Sequence, residues 1–246
     1  MTASSSTLAT YGTLLAWLAF AFLTACLVFR TVATGHGPFA NMYEFSVAFA
    51  WGVLGGYLYF ERRYHQRVLG LIALPIAALM MLYATTIPST IEPLVPALQN
   101  NLLLTVHVAV AIVAYGTFTV AFAAAVLYLV QPEGGRKGLP KPELLDEIGY
   151  KAVVVGFPFL TLTIVLGAVW ADVAWGSYWS WDPKETASLV TWLIYGAYLH
   201  ARVVRGWRGN RAAWLLVLGF AATLFTYFGN LFFGGLHSYS GLNNNN

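Results

Sequence analysis

The chain of 246 residues reads as an all-α, polytopic integral membrane bundle of about seven transmembrane helices. Three features carry that reading. Hydrophobic residues make up 59% of the chain and charged residues only 9%, whereas about a quarter of residues are charged in soluble domains. Seven apolar runs recur, each long enough, or nearly so, to cross a hydrocarbon core of roughly 30 Å, which takes about 20 helical residues. The Lys and Arg residues gather in alternate connections between those runs. A soluble globular fold is excluded by the first two features together.

The runs fall at approximately 11–30, 43–60, 68–87, 102–130, 152–171, 187–204 and 212–233. The first follows residues that lack the basic n-region of a cleaved signal peptide, so it is expected to be a retained helix. It holds the single cysteine, Cys26, so neither a disulfide nor a CxxC redox motif is available. Runs two and six are short, and run four is long enough to tilt or protrude. Pro75 in run three and Pro158 in run five are compatible with membrane helices, which tolerate proline better than soluble ones do. Residues 1–242 are expected to form one domain, and Asn243–Asn246 a low-complexity tail.

Orientation follows from the basic residues. Arg62, Arg63 and Arg67 lie between runs two and three; Arg136, Lys137, Lys141 and Lys151 between four and five; Arg202, Arg205, Arg208 and Arg211 between six and seven. These are eleven of the thirteen, leaving Arg30 and Lys184. The positive-inside rule makes that side cytoplasmic, and the placement accounts for the net charge of +3 without nucleic acid as a partner. The loops 31–42, 88–101 and 172–186 then face outside.

Five of the nine tryptophans lie between Trp170 and Trp192. An interfacial belt explains one or two of them. It does not explain Trp175, Trp179 and Trp181 beside Tyr178, Asp182 and Lys184 in a segment too short for a core of its own. An aromatic shelf with charges at its rim suits a flat, mostly apolar ligand with a polar edge. Asp182 also fits the N-cap position ahead of run six.

The histidines sort by depth. His65, among arginines, reads as a solvated surface residue, and His36, in Gly-His-Gly-Pro, as a turn residue. His200 lies about 12 residues below Ser188, about 18 Å at 1.5 Å per residue, either as an interfacial side chain or as a functional one. His107 and His237 lie at the same outer depth on either side of the tryptophan loop. Neutral imidazole is a common metal ligand, and two on opposite faces of a porphyrin would give bis-histidine ligation.

The string from Trp175 to Arg202, with Trp179-Ser-Trp181-Asp182-Pro-Lys184-Glu185 and Tyr198-Leu-His200-Ala-Arg202, resembles the tryptophan-rich WWD signature of the haem-handling proteins of cytochrome c biogenesis. The Asp-Pro-Lys-Glu continuation is similar to the CcsA (ResC) branch of system II. Gly35-His-Gly-Pro38 with Asn41-Met-Tyr-Glu44, Leu104-Thr-Val-His107-Val and Gly235-Leu-His237-Ser-Tyr239 extend the resemblance over nearly the whole chain. Tyr178-Trp179 stands where the family commonly has Trp-Trp, which keeps an aromatic at both positions.

That resemblance implies a protein that moves haem b to the outer face and presents it for thioether attachment to the CxxCH of apocytochrome c. It implies His107 and His237 as axial ligands of an outer haem. It makes His200 a ligand of an inner haem, opposite a residue from a CcsB (ResB)-like partner. Trp175, Tyr178, Trp179, Trp181, Asp182 and Lys184 would form the haem platform, with Lys184 or nearby backbone donors meeting a propionate. Thiol reduction would fall to a separate thioredoxin-like pathway. No residue is needed as nucleophile or base, so catalysis would belong to a synthase of which this chain is one subunit, in a bacterial inner or thylakoid-type membrane. Two other readings are a CcmC-like haem exporter that needs no partner, and a permease or structural subunit whose tryptophans form only a belt. The roles of His36, Tyr43 and Glu44 stay open between haem contact and loop packing.

Overall fold

The structure, a computed structural model, describes residues 3–91, 94, 98, 101–132, 135–229 and 232–237, with the side chains of residues 3–6 and 101 left aside. Within these lie seven α-helices: α1 (Ala3–Thr34), α2 (Met42–Tyr64), α3 (Gly70–Thr85), α4 (Asn101–Leu129), α5 (Pro142–Trp175), α6 (Pro183–Val204) and α7 (Asn210–Phe228). A single 3-10 turn, Arg67–Leu69, leads into α3. The protein is an all-helical integral membrane protein, as the apolar runs predicted. Five helices, α1, α3, α4, α5 and α7, are long and apolar enough to span a bilayer. The polar ends of α2, with Glu44, Glu61, Arg62 and Arg63, dilute its apolar stretch.

The helix boundaries follow local chemistry. Asn41 caps α2 by accepting from the Glu44 N–H at 2.9 Å, and Glu44 returns a bond to the Ala40 N–H at 2.6 Å. His65 ends the same helix in the left-handed region at φ 56°. Pro142 opens α5, where a missing N–H leaves no intrahelical bond unmade. Gly176 closes α5 with φ 77°, a conformation that costs glycine nothing. Asp182 and Glu185 form a reciprocal capping box on α6.

The bundle is organised around α4. Two thirds of its apolar window (67%) is buried, against 6% for α1, which lies at the periphery against α2. Close packing comes from small residues, as expected where lipid supplies no hydrophobic drive between helices. Gly52 and Gly56 of α2 back onto α4, where a Cβ at Gly56 would lie 2.7 Å from the Gly116 carbonyl oxygen. Between α6 and α7, Gly219 lies against the Tyr195 ring, which stacks on Phe118 of α4 at 3.8 Å.

Consecutive helices pack against one another and alternate in direction, so the eleven basic residues collect at one end. There Arg202 of α6 donates to Asp146 of α5 at 2.8 Å, and the Gly209 N–H reaches the same carboxylate. At the opposite end Arg30 pairs with the buried Glu44 at 2.8 Å and donates to the Ser89 and Thr90 carbonyls, tying α1 to α2 and to the segment after α3.

A histidine and tryptophan pocket opposite the basic turns

Five elements converge at that opposite end. α4 carries His107, the last turns of α5 carry Trp170 and Trp175, and the connection 176–182 carries Tyr178 and Trp179. The first turn of α6 carries Lys184, and the segment 232–237 beyond α7 carries His237. The tryptophan-rich element is shorter than the expected loop 172–186, because residues 172–175 complete α5 and residues 183–186 begin α6. Trp181 precedes the cap with φ 58°, a strained backbone for a bulky residue of the kind that clusters at functional sites.

His107 is held by α5. Its Nδ1 donates to the Thr163 carbonyl at 2.9 Å, which leaves Nε2 as the ring's lone-pair nitrogen. The ring fits because position 167 is glycine: a Cβ there would come within 2.8 Å of His107 Cε1. Trp170, only 1% exposed, lies parallel to His107 with ring centroids 6.4 Å apart.

His237 also meets this indole, with centroids 5.6 Å apart and the rings tilted by 45°, and Trp175 packs edge-on to both at 4.9 and 5.1 Å. Its Nδ1 donates to Asp182 Oδ1 at 2.8 Å. Burial pushes the His237 imidazole below the usual histidine range, against the opposing pull of its Asp182 partner. For Asp182, burial alone would raise the carboxyl. The His237 hydrogen bond and charge, together with the Lys184 and Leu236 N–H groups, outweigh it and hold the group at about 2. Burial lowers the Lys184 ammonium to about 8, with Asp182 opposing. The Lys184 Nζ lies 5.3 Å from the centre of the Phe45 ring.

These groups surround a cavity of about 120 Å³. His107, Trp170, Tyr178, Trp179, Lys184 and His237 are among its walls, with apolar side chains of α2 and α4 such as Phe45 and Leu104 filling the rest. Of the expected residues, Trp175 stands behind His237 and Asp182 acts through it, neither lining the cavity. Trp181 is 69% exposed and turns away from it. His200 is not part of this pocket. It lies near the basic end of α6, on an exposed face shared with Val190, Leu193, Ala197 and Val204.

Several participants were not foreseen. Trp170 lay at the edge of the tryptophan-rich stretch, but its contact with both histidines is a consequence of packing. Thr163 and Gly167 carried no signal beyond their membership of an apolar run. Of the residues left open, Glu44 pairs with Arg30, Tyr43 lies under the Arg30 guanidinium, and His36 Nδ1 lies 2.8 Å from the Gly37 carbonyl.

The fold and pocket define a polytopic helical membrane protein that holds two imidazoles against one buried indole. Comparison with known sequences places it in a family. The family described as Cytochrome C assembly protein matches residues 39–237, ending on the pocket histidine itself, and the chain belongs to that family. It is similar to the cytochrome c biogenesis protein CcsA of Guillardia theta, 39% identical over 92% of this chain and 84% of the relative. The CcsA of Prochlorococcus marinus is 38% identical, with 88% and 80% covered, and that of Gloeobacter violaceus 35%, with 95% and 87% covered. A CcsA-like role in cytochrome c biogenesis is thereby established for the chain.

Proposed function

We propose that this pocket binds haem b as cargo through His107 and His237 on the outer membrane face and presents it for attachment to the CxxCH of apocytochrome c. The observation that carries the reading is the matched fixing of two Nδ1 atoms. Each histidine donates Nδ1–H to an oxygen, at 2.9 and 2.8 Å, which keeps Nε2 basic and aimed away from its anchor. Among the described residues no three His, Cys, Asp or Glu side chains form a ligand set for a bare ion. Two imidazoles suit a metal that brings its own equatorial ligands.

The surroundings fit the amphipathic shape of haem. Trp170, Trp179 and Phe45 offer apolar ring faces. Lys184 supplies a cation for a propionate, and the buried Trp175 Nε1–H, with no acceptor among the described residues, is a second donor close by. The cavity of about 120 Å³ is well below the roughly 300–1,000 Å³ of small-molecule sites. A macrocycle therefore enters only as walls part, and the non-helical walls are Tyr178, Trp179 and His237.

The protein's part is to bind, orient and exclude water. In attachment, each client thiol S–H adds across a haem vinyl group, so no leaving group forms and no protein nucleophile is required. The chain acts as one subunit of a synthase, with thiol reduction supplied elsewhere by a thioredoxin-like pathway. His200 serves a second, inner haem. Its exposure on an apolar helix face supports a facing ligand from a CcsB-like membrane partner, because an imidazole at membrane depth needs a polar neighbour.

Visible spectra of the purified protein, with and without that partner, test this reading. The wild type should show a Soret band of low-spin haem. His107→Ala and His237→Ala should each lose the low-spin signature, and millimolar imidazole should return it. No Soret band in any preparation would dismiss haem as the ligand. Haem loading without a partner, coupled to no attachment, would move the protein to the exporter class.

A further inference from the structure

The Asp182 carboxylate serves two chain segments at once. Its Oδ1 accepts the Lys184 N–H at 2.9 Å and so caps α6, while Glu185 returns a bond to the Asp182 N–H at 3.2 Å. The same oxygen accepts Nδ1–H of His237, 55 residues further on, at 2.8 Å, and the Asp182 side chain is only 1% exposed. His107 sits on a helix and is aimed by α4 and by a backbone carbonyl. His237 sits on no helix. Its ring is oriented by the carboxylate together with the tilted contact of Trp170 and the edge-on contact of Trp175. The approach is close: a Cβ on Gly235 would come within 2.9 Å of Pro183 Cδ, so the segment reaches the cap because that residue is glycine.

We infer that Asp182 is the positioning residue of His237, fixing its tautomer, aiming Nε2 into the pocket and making it a stronger donor than His107. The inference rests on the haem reading above and gives the aspartate of the tryptophan-rich stretch a role through histidine rather than through haem contact. The chemical difference between the two anchors is charge. A carboxylate on Nδ1–H gives the ring partial imidazolate character, which favours ferric over ferrous iron. The neutral Thr163 carbonyl does this less.

Two substitutions separate this role from the helix cap. Asn and Ser both cap helices about as well as Asp. Asp182→Asn keeps an acceptor for His237 but removes its charge, and Asp182→Ser keeps the cap but is too short to reach the ring. In the haem-free protein, nitrogen NMR of labelled histidine should show His237 as the Nδ1–H tautomer in the wild type. With haem, Asp182→Asn should keep low-spin ligation and raise the midpoint potential. Asp182→Ser should lose haem affinity by roughly 10- to 100-fold, the range for removed partners of ligating histidines. Its spectrum should match that of His237→Ala and recover with imidazole, and both variants should unfold near the wild-type temperature. An Nε2–H tautomer in the wild type, or an unchanged potential in Asp182→Asn, would overturn the inference. If His237→Ala itself left the spectrum unchanged, the haem ligation would fail instead, and the tautomer of the haem-free protein would still decide the geometry.

Discussion

The ring of Trp170 lies within 9° of parallel to that of His107, with centroids 6.4 Å apart, and the same indole meets His237 at 5.6 Å. Parallel offset and tilted contacts at these distances are the favoured geometries of aromatic pairs. One fully buried side chain therefore sets the spacing of both imidazoles.

Replacing Trp170 should accordingly affect both histidines together. Trp170→Ala should cost about 3–5 kcal/mol, the usual range for large aromatic truncations in a core, and abolish low-spin haem binding. Trp170→Phe should keep the layer, with a smaller loss in each. Detergent-phase thermal unfolding and haem titration measure the two effects. Haem affinity unchanged in Trp170→Ala would show that the shared layer is not required.

Gly167 gives a narrower probe. A methyl group there would press on His107 Cε1 at 2.8 Å, and overpacking of this kind costs about 1–3 kcal/mol. Gly167→Ala should reproduce the spectrum of His107→Ala and leave the His237 tautomer untouched. A wild-type spectrum would mean that the ring shifts without losing its aim.

The crossing of α2 and α4 depends on Gly56 and Gly116 meeting backbone to backbone. Gly56→Val or Gly116→Leu should separate the helices and lower thermal stability more than the same changes at the unencumbered Gly12, where a Cβ meets nothing within 4 Å. Equal losses at the two sites would argue against close packing as the cause.

Lys184 predicts a pH dependence. Burial sets its ammonium at about 8, below the ordinary 10.5, so the free protein carries the charge below pH 8 and sheds it above. A bound carboxylate raises the value again, so binding takes up a proton above pH 8. Haem affinity should therefore fall as pH rises from 8 towards 10. Lys184→Met should bind more weakly with a flat profile in that window, and Lys184→Arg should bind without the decline. A flat wild-type profile would remove Lys184 from the propionate contact.

Much of the architecture was legible because membrane helices announce themselves locally. An apolar run of about 20 residues has no other solution in a bilayer, and Pro142, Gly176 and Asp182 act on their own helix ends. The candidate site was legible in part: His107, His237, Trp179, Tyr178 and Lys184 do meet at one cavity. The loop appeared too long because Trp175 and Lys184 extend helices whose ends carry polar and aromatic residues. Trp181 was expected on the shelf, yet its left-handed backbone turns it outward.

The sequence by itself determined the helices, the segregation of charge between the two ends and the set of aromatic and ionisable side chains available to the pocket. These depend on hydropathy and on capping, which act over a few residues. Only the tertiary structure decided that Trp170 contacts both histidines, that Thr163 and Asp182 anchor their Nδ1 atoms, and that His200 faces outward. The two anchors join positions 56 and 55 residues apart, and the approach of these segments is set by where glycines allow it, which no local pattern encodes.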